Sequence, residues 1–262
     1  MTTAHDSATL QTAYHQQARR RGTILVVLGV TLLVSLLLDI VTGPALLPVA
    51  EVIRAITGES ASPSTQVIVW TIRLPVALTA LAVGAALGLS GAVMQTILHN
   101  PLASSYTLGI SAGAGFGASL VIVLGWSLPI PETYAVAFNA MLFAGLSCAG
   151  VYGIAGTRGA TAEALVLAGI ALLFLFQALT ALLQMIASPE ALQQVVFWLF
   201  GSLQKTSWTK LAVLTAALIS CLPPLARDVW ALTAMKLGDA RAAALGVKVR
   251  SLRLRSFALI SG

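Results

Sequence analysis

The chain has 262 residues, of which 58% are hydrophobic and 9% charged, and its net charge is +6. A soluble domain carries about 25% charged residues, so this chain lacks the polar groups to cover its own surface, which excludes a water-soluble enzyme. Its outer surface must face lipid, and the class is an all-α polytopic membrane protein.

Residues 1–20 are polar, with His5, Asp6 and His15, and read as a disordered cytoplasmic tail. Arg19, Arg20 and Arg21 before Ile24–Leu38 have the look of a secretory signal, but a long polar stretch precedes them and no A-x-A site follows. The apolar run is therefore a retained first span, Ile24 to Thr42, ended by Gly43-Pro44, with Asp39 near its outer end. Val49 to Ile56 reads as a short interfacial helix outside the membrane.

Span two is Leu74 to Leu98, and at 1.5 Å per residue it measures about 37 Å against a hydrocarbon core of about 30 Å, so it tilts or protrudes. Pro75 falls in its first turn, where a missing N–H does no harm. Span three is Tyr106 to Gly125, and Pro129 and Pro131 mark the next outside turn. Span four is Thr133 to Ala155, returned inside by Gly156–Gly159. Span five is Glu163 to Ala187. Ser188-Pro189-Glu190 then opens Ala191 to Gly201, too short to cross and read as a re-entrant or interfacial helix. Span six is Trp208 to Leu225, ended by Pro223-Pro224.

From Ser256 apolar residues resume and run to Gly262, the start of a seventh span cut off after one or two turns. A half-inserted helix leaves carbonyls unsatisfied in lipid, so the sequence reads as a fragment or truncated product. Residues 21–262 are then one transmembrane domain of six full spans and part of a seventh. With the N-terminus inside, eleven Lys and Arg fall inside against four outside (Arg54, Arg73, Lys205 and Lys210), which the positive-inside rule favours. The basic residues beside spans fit this better than a nucleic-acid patch, which needs a soluble face.

Chemistry-bearing motifs are few. Cys148 and Cys221 lie in apolar runs and read as packing residues. There is no HExxH, no paired intramembrane carboxylates and no His cluster; His99 stands alone at a turn. Catalytic residues and metal ligands are therefore not expected. An ion-coupled secondary transporter would place ionisable groups at the midplane, and none is evident. The pairs Gly84/Gly88 and Gly113/Gly117 put small residues on one helical face, as generic close packing between membrane helices also does. Gly109 to Gly117 lacks the Gly-Lys-Ser ending and the preceding strand of a phosphate loop. Lys236 to Val247 contains a short helix that Asp239 can cap, with Gly246 just past its end. Two turns do not hold in water alone. The segment is either an ordinary capped loop helix or one that inserts a small Ala-rich face, edged by Leu237, Leu245 and Val247, into a partner.

Several segments stand in one order and spacing between Ile24 and Gly262: Arg73-Leu74-Pro75, Gly84 to Gln95, Asn100-Pro101-Leu102-Ala103, and Leu108-Gly109-Ile110-Ser111 with Gly113-Ala114. Trp198-x-x-Gly201-Ser202-Leu203 and Leu237-Gly238-x-x-x-Ala242-x-x-Leu245-Gly246-Val247 follow. Together they resemble the permease subunits of iron–siderophore, haem and cobalamin ABC importers, the FecCD-type or type II importer family.

The resemblance implies about ten membrane helices, of which the last four or so are missing here, and a homo- or heterodimer with the pore between two permease subunits. It implies two cytoplasmic ATPases that use ATP and magnesium, and a periplasmic or lipoprotein binding protein that delivers the ligand. On that reading this chain is not an enzyme and binds no cofactor, metal or nucleic acid, and it sits in a bacterial cytoplasmic (inner) membrane with its N-terminus inside. Leu237, Gly238, Asp239, Ala240, Arg241, Ala244, Leu245 and Gly246 match the helix that couples to the ATPase. Arg73 matches an arginine that docks the binding protein; a second family arginine three residues on is replaced by Val76. Gly84, Gly88, Gly91, Gln95, Asn100, Pro101, Gly109, Ser111, Gly113 and Gly117 match helix-packing and pore positions, and Trp198 and Gly201 an outer-gate element. Ferric siderophore is the expected cargo, with haem or cobalamin as alternatives and an ion-coupled secondary transporter as a remote one.

Overall fold

The computed structural model describes residues 3–42, 47–58, 62–129 and 131–261, which contain helices and no strand. They fall into two compact units, Met1–Ala80 with Thr206–Trp208, and Leu81–Lys205 with Thr209–Gly262.

In the first unit, α1 runs Thr3–Val41 as one helix. The polar stretch expected to be a disordered tail is instead the beginning of this helix. Thr3–Arg21 holds neither Gly nor Pro and is rich in Ala, Gln and Arg, so nothing interrupts the helix that the apolar part continues. Gln16–Val41 is long and apolar enough to cross a membrane, and its Leu25, Val26, Leu33 and Leu37 are exposed, as lipid contact requires. The expected stop at Gly43-Pro44 lies outside the described residues. α2 (Val49–Thr57) is the expected short helix; it turns Val52 and Ala55 onto Ile40, Val69 and Ala77.

α3 (Pro63–Val67) is capped by Ser62, whose hydroxyl accepts from the Thr65 N–H at 3.2 Å. A single π-helical stretch, Ile68–Arg73, joins it to α4 (Leu74–Leu98). The second span is therefore 36 residues, Pro63–Leu98, and Pro75 lies well inside it rather than in its first turn. A proline in a helix interior removes one amide donor and clashes with a carbonyl one turn back. The wider turn before it, in which the Leu74 N–H reaches back to the Val69 carbonyl, absorbs that mismatch. Tryptophans tie this unit together: Trp70 Nε1 donates to the Ala55 carbonyl at 2.8 Å, and Trp208 Nε1 to the Trp70 carbonyl at 2.9 Å.

The second unit is built around α5 (Ile110–Leu124), which packs on α6 (Glu132–Thr157), α7 (Ala162–Ile186) and α8 (Pro189–Phe200). At 15 residues α5 is shorter than the expected Tyr106–Gly125 and measures about 22 Å. Asn100 to Gly109 form turns before it, with Asn100 Oδ1 accepting from the Leu102 N–H. Five described helices are long and apolar enough to cross, and α5 is a sixth, shorter apolar helix. Gly109 has φ +73, and a Cβ there would stand 2.7 Å from the Leu173 amide, so only glycine lets this turn lie on α7. Phe116, Phe143 and Phe176 pack together, with centroids 5.2 to 6.4 Å apart, joining α5, α6 and α7. α8 starts where expected, capped by the Ser188 hydroxyl on the Ala191 N–H.

α9 runs Trp208–Met235, straight through Pro223 and Pro224, which were expected to end it. Membrane helices tolerate proline because neighbouring groups satisfy the freed carbonyls. The last turns past the prolines are also held by packing: Leu225, Leu232 and Met235 are buried in the main core with Met94, Ile97 and Phe257. α10 (Asp239–Ala244) and α11 (Val249–Ser261) follow. The helix expected to start at Ser256 therefore begins a turn or two earlier.

Candidate functional site

The short helix α10 directs most of its residues outward from a defined seat. Ala242 is fully buried, and Val247, just beyond the helix, is buried beside it in the core. Ala240, Arg241, Ala243, Ala244, Leu245 and Gly246 stay exposed, and Leu237 and Leu245 are each more than half exposed. The helix thus supplies one small side chain to its own protein and presents the rest outward. Gly246, at φ +85, ends it.

The expected capping role of Asp239 is corrected. Gly238 is the N-cap and Asp239 the first helical residue, with no capping bond from its side chain. Its carboxylate is taken instead by Arg253, whose Nη2 donates to Oδ1 and Oδ2, each at 2.8 Å. His99 Nε2 lies 2.9 Å from Asp239 Oδ1, so the histidine that stood alone in the sequence has a partner 140 positions away. Burial pushes the Asp239 carboxyl up, but the bonds from Arg253 and His99 outweigh it and hold the group below the ordinary carboxylate range.

Arg253 is 2% exposed and spends its whole fork. Nε donates to the Ile97 carbonyl at 2.8 Å, at the end of α4, and Nη1 to the Ala160 carbonyl at 3.1 Å, in the α6–α7 turn. One guanidinium therefore fixes α4, the α6–α7 turn and α10 to α11. His99 (φ 49) and Ala160 (φ 54) are the positive-φ non-glycine residues among the described ones, and both touch this cluster. Unfavourable backbone geometry persists where the surroundings over-determine it. Sequence reading missed Arg253, counting it only as one more basic residue; the signal available was a lone arginine within the apolar face Leu252-Arg253-x-x-Ser256-Phe257.

The other expected site residues are scattered. Arg73 is 8% exposed, with Nη1 donating to the carbonyls of Ile40 and Val41 at the end of α1. Its charge is spent within the unit rather than displayed on the surface. Gly113 and Gly117 do pack closely: a Cβ at either would strike α6. Gly84, Gly88 and Gly91 have open space there instead, so the close packing expected of them is not made among the described residues. Gln95, Pro101 and Ser111 are exposed and Asn100 is half-buried. Trp198 is half-buried, and its carbonyl accepts from the N–H of exposed Gly201 at 3.0 Å.

A short, seated, outward-facing helix thus stands on a bundle of apolar helices. The model of the FecCD transport family matches residues 31–262. The chain belongs to that family. FecCD relatives include an ABC transporter permease protein of Methanocaldococcus jannaschii, 35% identical over 87% of this chain and 68% of the relative. The molybdate import permease of Haemophilus influenzae is 37% identical over 73% and 56%, and the ferric enterobactin permease of Escherichia coli 34% over 85% and 66%. Permeases named for vitamin B12 import in Klebsiella pneumoniae and haemin transport in Yersinia pestis match at 33% and 35%. The chain spans 56% to 68% of the length of the first three. A solved metal-chelate type ABC transporter in an inward-facing conformation shares 33% identity at a TM-score of 0.78, over 92% of this chain and 73% of the other. This FecCD-family chain is thus a multi-pass membrane protein whose relatives are permease proteins.

Proposed function

We propose that this chain is the permease subunit of an ATP-driven importer of the FecCD type, most directly suited to ferric siderophores. The observation that carries the reading is α10: a helix too short to stand alone, rigidly seated by Ala242 and the Asp239–Arg253 bonds, with Arg241, Ala244 and Leu245 left outward. Such a knob can transmit a push from an ATPase subunit because its base cannot move independently of α4 and the α6–α7 turn. On this reading the N-terminus is cytoplasmic, α10 faces the same side, and a second permease subunit and a separate ligand-binding protein complete the assembly. Arg73 serves docking only indirectly, by holding the outer end of α1, and the open glycine face of α4 belongs to the pore or to further helices.

The siderophore assignment is supported by relatives named for ferric enterobactin and other iron chelates, although relatives named for molybdate, haemin and vitamin B12 match comparably well. The coupling role is tested by Ala240→Trp and Ala244→Trp, both on the exposed face and so neutral for folding. ATPase subunit recovered by pull-down should fall at least about fivefold, since a bulky ring in a complementary groove costs on the order of 1–3 kcal/mol. Undiminished recovery with the folded variants would overturn the coupling reading. Uptake by the reconstituted importer of iron-loaded siderophore, haem, cobalamin and molybdate in parallel decides the cargo.

A further inference from the structure

A cavity of about 690 Å³ opens between the end of α6 and α11, lined by Tyr152, Lys248, Arg250, Leu254, Arg255 and Ala258 among others. None of its lining residues is acidic. Arg255 is offset by Asp228 of α9, whose side chain is almost buried. Arg250 spends one donor on the Gly156 carbonyl at 3.2 Å, and no carboxylate among the described residues pairs with Lys248 or Arg250. Two cationic charges therefore stand uncompensated over one concave surface.

The depth of the cavity says what they face. α6 is a candidate span that ends at Thr157, and Tyr152 lies five residues, about 7.5 Å, inside that end. A tyrosine at that level marks the boundary between hydrocarbon and headgroups. Tyr152 and Ile154, in the last turns of α6, are both exposed, and the cations stand at the start of α11. Of the remaining wall, Val249, Leu254 and Ala258 are apolar and Ser251 adds one hydroxyl. A free phosphate would use only the charged rim, whereas a phospholipid would fill both parts, with its phosphodiester on the cations and the start of an acyl chain along the apolar wall.

We infer that the Tyr152–Lys248–Arg250 cavity is a binding site for an anionic phospholipid headgroup, in the leaflet that the α6–α7 turn faces. The site is separate from α10 and holds whatever the cargo is. Its ligand would brace α11 against α6, on the same helix that carries Arg253.

The test is native mass spectrometry of the full chain released from bilayers of equal phosphatidylglycerol and phosphatidylcholine. Phosphatidylglycerol should be retained preferentially, and K248Q/R250Q should cut that preference roughly 25-fold, from the usual contribution of two basic residues beside anionic lipid. Photoreactive phosphatidylglycerol added to the unmodified protein should label the α6 end and α11, which keeps the inference testable if the double variant fails to fold. Equal retention of the two lipids, or labelling confined to other helices, would overturn it. So would displacement of the photoprobe by millimolar inorganic phosphate, which would make this a free-anion site. Exclusion of the photoprobe by an added ATPase subunit would make it a subunit interface and overturn it as well.

Discussion

Arg253→Met should destabilise the protein more than any other single change in α10 or α11. Methionine keeps the buried stem volume and removes every donor. The Ile97 and Ala160 carbonyls then lose their partner in a buried site, and each such loss costs about 1–3 kcal/mol. The Asp239 end is 45% exposed, so water replaces part of that pairing and its share is small. A total of about 3 kcal/mol is expected, read as a lower midpoint in detergent unfolding, together with faster protease cleavage around Leu245–Gly246 as the knob loosens. Arg253→Lys should recover only part, because an ammonium cannot span three acceptors in a fixed fork. A midpoint within experimental scatter of wild type for Arg253→Met would remove the structural basis of the rigid seat. The same bonds set a pH dependence. The Asp239 carboxyl is held below its unfolded value, so its contribution is complete above about pH 4 and is lost as pH falls through the lowered value. Stability should therefore be flat from pH 5 to 8 on this account, and Asp239→Asn should flatten the acid limb.

Gly117→Val should break the contact between α5 and α6. A Cβ at Gly117 would come within 2.8 Å of Phe143 Cβ and 2.9 Å of its ring, and closer still to the Asn139 carbonyl. The backbone oxygen cannot swing aside, so α6 must move and the aromatic cluster of Phe116, Phe143 and Phe176 must open with it. Overpacking of this kind costs about 3 kcal/mol or more, enough to lower the thermal midpoint of the purified protein by several degrees. Gly88→Ala is the contrast. A Cβ there meets open space, so it should stay within about 1 kcal/mol of wild type. Equal effects of the two substitutions would contradict the packing described for α5.

The membrane class, the helical architecture and the family were legible because they rest on features local in sequence. Low charge, long apolar runs and short motifs in register need no knowledge of what lies beside them. The same locality explains the errors at ends. Pro75 and Pro223-Pro224 look like helix boundaries in the sequence because proline lacks a donor, which is a local cost. A π-helical turn absorbed the first and core packing of Leu225 and Met235 carried α9 past the second. The pairs Gly84/Gly88 and Gly113/Gly117 look alike in sequence, yet of these four only Gly113 and Gly117 meet another helix among the described residues.

The α10 segment divides most clearly. From the sequence alone come its position, its small-residue content and its closing glycine, since these follow from residue type and spacing. Which of its faces points outward, and that Asp239 anchors rather than caps it, was decided by the tertiary structure. His99, Ala160 and Arg253 are separated by 61 and 93 positions along the chain and meet only when α4, α6 and α11 pack. A hydrogen bond holds over about 3 Å and carries no trace into the intervening residues, so no local pattern announces it.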